Sequence, residues 1–88
     1  MRYNYKTSGT CSKEIIIDMG DDGKIEHVEF ISGCPGNLLG IGQIVVGMTP
    51  EHVIERFKGV KCGPKSTSCP DQLARALEQI IELENNKN

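Results

Sequence analysis

Eighty-eight residues make one small domain, and a chain this short hides only about 60–65% of its unfolded surface, so its core benefits from a staple. Leu, Ile, Val and Phe supply 22 of the 88 residues, above the roughly 20% below which disorder is expected. Ten Lys and Arg against twelve Asp and Glu leave a formal charge of −2, which argues against duplex DNA as a partner on bulk electrostatics.

Tyr3, Tyr5 and Thr7 alternate with polar residues and predict a first strand. Thr7 to Ser12 is turn chemistry, which places Cys11 in a loop. The β-branched run Glu14 to Asp18 predicts a second strand, and Gly20-Asp21-Asp22-Gly23 a hairpin turn. Lys24 to Ile31 returns as a third strand. Its alternation is imperfect, with Val28 and Phe30 on one face and Ile25 and Ile31 on the other; the Val28/Phe30 face is expected in the core. Gly33-Cys34-Pro35-Gly36 stops the strand, and a helix follows from Pro35 to Val46, ended by Gly47. Gly36, Gly40 and Gly42 weaken that helix by about 1 kcal/mol each relative to Ala, so they are expected to permit close approach to another backbone.

Thr49-Pro50-Glu51 reads as N-cap, first helical position and dipole-matched acid, with Val53, Ile54 and Phe57 as the apolar face and Gly59 as the stop. Ser68-x-x-Asp71 has capping-box spacing and opens the last helix, whose buried stripe is Leu73, Leu77, Ile80 and Ile81. Glu84 to Asn88 reads as a frayed tail of the single 1–88 domain. Three strands followed by three helices predict an α+β domain with the helices on one face of an antiparallel sheet.

The longest apolar stretch, Leu38 to Met48 with Gln43 inside it, is far short of the roughly 18 residues that suggest a membrane span. The start, Met1 to Lys6, lacks the apolar run of a signal peptide. A cytoplasmic chain is therefore expected, and four cysteines there point to metal or redox chemistry before structural disulfides.

Cys34-Pro35 and Cys69-Pro70 each set a thiol at a helix start, where unpaired N–H groups and the helix dipole favour the ligating thiolate. Cys11 and Cys62 lie in loops beside Gly9 and Gly63. The spacing contains no Cys-x2-Cys knuckle. All four thiols nevertheless fall at loops or helix starts, which favours a shared metal or cluster site over a redox thiol set or unrelated cysteines. His27 and His52 read as an ordinary strand residue and a solvent-facing helix residue. Arg56, Lys58, Lys61 and Lys65 run without an intervening acid; a solvated surface explains them best, and contact with phosphate or an acidic partner is the alternative. No nucleophile elbow or His-x3-His pair is present, and no catalytic residue is expected.

The string Thr67-Ser68-Cys69-Pro70-Asp71, with Gly33-Cys34, Asn37-Leu38, Gly47-Met48-Thr49-Pro50 and Cys62-Gly63, resembles the TSCPD domain family. That family includes short stand-alone proteins and C-terminal segments of ribonucleotide reductase large chains. The resemblance implies a tie to ribonucleoside-diphosphate reductase and deoxyribonucleotide synthesis, with a reductase large chain or another protein as partner. The chain cannot itself be the reductase, because a domain of this size cannot enclose a thiyl radical and its substrate. The element order is also similar to NifU/IscU-type iron–sulfur scaffold domains, which hold their cluster with three cysteines placed as Cys11, Cys34 and Cys69 are here. Those domains have a histidine where this chain has Ser68, and with that departure Cys62 is the natural fourth ligand. Four thiolates suit zinc foremost, with a stably held iron–sulfur cluster as the alternative. A cluster scaffold or carrier and a thiol redox partner are the competing functions.

Overall fold

The computed structural model describes residues 1–9, 12–32, 35–61 and 63–85. Three strands, β1 (Arg2–Lys6), β2 (Glu14–Met19) and β3 (Ile25–Ile31), are followed by three helices, α1 (Pro35–Ile44), α2 (Pro50–Phe57) and α3 (Cys69–Asn85). The strands form an antiparallel sheet in the order β1-β2-β3, the α+β arrangement expected from sequence.

The period-2 pattern of β2 sorts its side chains cleanly. Ile15, Ile17 and Met19 are buried on one face. The other face carries polar cross-strand pairs, including Arg2 with Asp18 (2.8 Å) and Asn4 with Glu14 (2.6 Å). On the buried face, Ile15, Ile17, Met19, Ile25 and Val28 join Val45, Val53, Leu73, Ala76, Leu77 and Ile80 in one aliphatic cluster. Of the expected α3 stripe, Leu73, Leu77 and Ile80 are buried and Ile81 is half-buried.

The imperfect alternation of β3 has a structural cause. Asp18 pairs with His27 and Met19 with Ile25, so Glu26 is an extra residue in the ladder. Such a bulge shifts the facing of every residue beyond it. Ile25 therefore lies in the core with Val28, correcting the sequence assignment to the opposite face, while Phe30 is half-buried against the same cluster.

β3 is an edge strand, and the chain covers its edge. Ile25 exchanges backbone hydrogen bonds with the segment after α1: its N–H reaches the Met48 carbonyl (3.0 Å), and its carbonyl accepts from Gly47 N–H (2.8 Å). Gly47 adopts φ +86° to make this turn, a conformation open to glycine at no steric cost. α1 ends at Ile44, two residues earlier than expected, and Val45 turns inward to the core. Gly42 supplies the close approach: a Cβ there would stand 2.6 Å from the Val28 carbonyl oxygen, whereas one at Gly40 would meet nothing within 4 Å.

At the other end of the chain α3 continues through Asn85. Glu84 and Asn85 of the expected tail are thus helical, and the rest of that expectation, residues 86–88, lies outside the described residues. The Tyr3 hydroxyl donates to the Glu84 carboxylate and ties the last turn to β1.

Candidate functional site

The first turn of α3 is the best-connected polar region among the described residues. Ser68 caps the helix: Asp71 N–H donates to Ser68 Oγ at 3.1 Å, and Ser68 Oγ–H donates to the Val60 carbonyl at 2.6 Å. The capping-box spacing is thus used for its N-cap half, while both oxygens of Asp71 bond elsewhere. Oδ1 accepts from Gly59 N–H at 2.7 Å, and Oδ2 accepts from the Thr67 hydroxyl and from Arg75 Nε at 2.9 Å.

Asp71 is fully buried. Burial pushes its carboxyl up, but the hydrogen bonds from Thr67, Gly59 and Arg75 outweigh burial and hold it below the usual carboxylate range. The chain of bonds extends further. Gln72 Nε2 donates to Thr67 Oγ1 (3.0 Å), and Gln72 Oε1 accepts from Ser8 N–H (3.2 Å) in the β1–β2 loop. Ser12, in the same loop, lies with its Oγ 3.3 Å from Cys69 Sγ, and both residues are buried. One continuous network therefore joins the β1–β2 loop, the α2–α3 loop and the start of α3.

Of the four cysteines expected to bind metal, Cys69 is described: it is the first residue of α3 and is buried. Cys11, Cys34 and Cys62 lie outside the described residues. Among the described residues no group of three or more His, Cys, Asp and Glu side chains converges, and that set holds one of the four thiols. Described residues that stand near the other three in the chain are placed as follows. Ser12, which follows Cys11, is against Cys69. Lys13 N–H donates to the Ile31 carbonyl at 2.8 Å, so the β1–β2 loop lies beside the end of β3 that leads into Gly33-Cys34. Val60, two residues before Cys62, is bound to the Ser68 cap.

The basic stretch lies on the surface, as the favoured sequence reading expected. Arg56, Lys58, Lys61 and Lys65 are exposed, and Lys58 pairs with Glu78 of α3 at 2.8 Å. His27 is exposed and 3.4 Å from Glu29, and His52 is exposed in the first turn of α2. The residues that sequence reading missed are Ser12, Thr67, Gln72 and Arg75, together with the hub role of Asp71. A local signal existed: Thr67, Asp71 and Arg75 recur at helical i, i+4 spacing, which puts them on one side of the first two turns.

The family model of the TSCPD domain matches residues 1–81. The chain belongs to the TSCPD domain family, a family associated with ribonucleotide reductases. No curated protein and no solved structure matches it. The five residues that name the family thus have distinct local roles in this TSCPD domain. Thr67 and Asp71 link two loops, Ser68 caps α3, and Cys69 presents a sulfur at the helix start, followed by Pro70 in the first turn, where its missing N–H leaves no bond unmade. No helix among the described residues is long and apolar enough to cross a membrane.

Proposed function

We propose that this TSCPD domain is a metal-binding module in which Cys11, Cys34, Cys62 and Cys69 hold one ion, zinc foremost, and that it serves a ribonucleotide reductase as an accessory or docking domain without reducing nucleotides itself. One observation carries the metal reading: the chain neighbours of all four cysteines gather at the same end of the sheet. Ser12, Ile31 and Val60 are each fastened there, to Cys69, Lys13 and Ser68 respectively. The donor chemistry fits the group, since four thiolates satisfy a closed tetrahedral zinc shell. When bound, such an ion supplies a structural cross-link between loops. The reductase reading rests on family membership.

Ser68 favours retained metal over a transferable iron–sulfur cluster. On the sequence resemblance to iron–sulfur scaffold domains it stands where they carry a histidine, and its hydroxyl is committed to the Val60 carbonyl and the Asp71 N–H. No exchangeable ligand is offered at that place. Elemental analysis of protein purified without oxygen decides the metal. About one zinc per chain, lost on Cys34→Ser or Cys69→Ser, is the expected result; iron with stoichiometric sulfide that moves to an apo-acceptor would instead establish a carrier. Direct binding to a reductase large chain, measured by calorimetry, tests the partner.

A further inference from the structure

We propose that Ser12 is a positioning residue for the Cys69 ligand: its hydroxyl donates to the Cys69 sulfur and sets the direction and donor strength of that thiolate toward a bound metal. The inference rests on the four-thiolate reading above and extends it to a residue outside the family's signature string.

Ser12 is buried in a loop whose neighbours Ser8, Gly9 and Lys13 are exposed. Its hydroxyl lies 3.3 Å from Cys69 Sγ. A ligating thiolate carries no proton, so in the metal-bound form the serine must be the donor. The backbone at Ser12 and just after it is held to aim it. Thr7 Oγ1 donates to the Ser12 carbonyl at 2.6 Å, Thr7 N–H donates to the Lys13 carbonyl at 3.2 Å, and Lys13 N–H donates to Ile31 at 2.8 Å. The loop is also fixed to the helix that bears Cys69, through Ser8 N–H to Gln72. Donor and acceptor are therefore positioned by separate, mutually fastened elements. A hydrogen bond to a ligand sulfur draws electron density from it and fixes its orientation, and losing such an outer partner typically weakens metal binding by about 10–100-fold.

Cobalt(II) serves as the probe, because its sulfur-to-metal charge-transfer band reports thiolate donor strength directly. Ser12→Ala is compared with wild type and with Ser12→Thr, which keeps the hydroxyl. The expected result is a charge-transfer band shifted to lower energy in Ser12→Ala and cobalt binding weaker by roughly 10-fold, with both restored in Ser12→Thr. Unchanged band and affinity overturn the inference and leave the metal reading standing. Weaker binding with an unmoved band also overturns it, since that pattern belongs to a merely structural loop residue. If wild type shows no thiolate–cobalt band, the metal reading falls first and the inference with it. Should Ser12→Ala not fold, Ser12→Val against Ser12→Thr, alike in shape and differing in the hydroxyl, gives the same comparison.

Discussion

Asp71 is a charged group with no exposed surface, and three donors justify its position: Gly59 N–H, the Thr67 hydroxyl and Arg75 Nε. Arg75 is half exposed, so its ion pair contributes little beyond geometry; the two loop donors carry the weight. Asp71→Asn presents an amide N–H₂ to groups that are themselves donors and is expected to cost about 2–3 kcal/mol at pH 7. The effect depends on pH with a definite sign. In the unfolded chain the carboxyl titrates near about 3.9, and in the fold it is held lower. The stability it contributes is therefore fully present above about pH 4 and is lost as pH falls through the lower folded value. Urea melts of wild type and Asp71→Asn should differ most near neutrality and converge in acid; a gap that widens in acid would refute the assignment. The cap on α3 was legible in the sequence because Ser68 and Asp71 are three residues apart. The hub was not, because Gly59 and Ser8 reach Asp71 and Gln72 across long sequence separations that a local pattern does not encode.

Between elements, the packing of α1 on β3 explains why a glycine-rich segment is helical. Three glycines make α1 a poor helix by propensity, and its sequence carries no charge in the first or last turn to match the dipole. Contact with β3 supplies what propensity lacks. Leu38 is buried, and the Gly42 backbone sits against the Val28 carbonyl. The two glycines nearest this contact should therefore respond in opposite directions. Gly42→Ala puts a methyl group 2.6 Å from a backbone oxygen, and relieving that overlap by moving α1 should cost about 1–3 kcal/mol. Gly40→Ala meets open space and should stabilise by up to about 1 kcal/mol. Thermal melts of the two variants check this, and equal effects would mean that α1 is not held at Gly42. The sequence disclosed that close approach was needed but not which glycine provides it. Likewise β3 was recognisable as a strand and its Val28/Phe30 face as the core side, yet Ile25 was assigned to the opposite face, because the extra residue Glu26 is a property of pairing with β2 and leaves no trace in β3 alone.

At the scale of the whole molecule, the two ends of the sheet are built differently. The aliphatic cluster fills the space between the sheet and the helices. The loops at the Cys69 end are mostly exposed: Ser8, Gly9, Lys13, Ser32 and residues 63–66 bury little. Exposed Lys6, Lys13, Lys61 and Lys65 belong to this end, while Asp21, Glu51 and Glu84 line a cleft at the other. With so little apolar burial, the Cys69 end is joined by the Asp71–Gln72 network and, on the proposed function, by the metal. A structural zinc contributes several kcal/mol to a small fold, and 1 kcal/mol moves the Tm of a domain this size by about 4–8 °C. Strong chelator is therefore expected to lower the Tm by roughly 10 °C or more, and Cys69→Ser or Cys34→Ser to lower it without chelator. Hydrogen exchange should show where the loss falls: protection of the Ser8 and Gly59 amides, which are bound to Gln72 and Asp71, should drop first, while the β2 amides keep theirs. A chelator-treated protein with unchanged melting and unchanged loop protection would mean that the polar network alone closes this end, and the four-thiolate site would have to be abandoned.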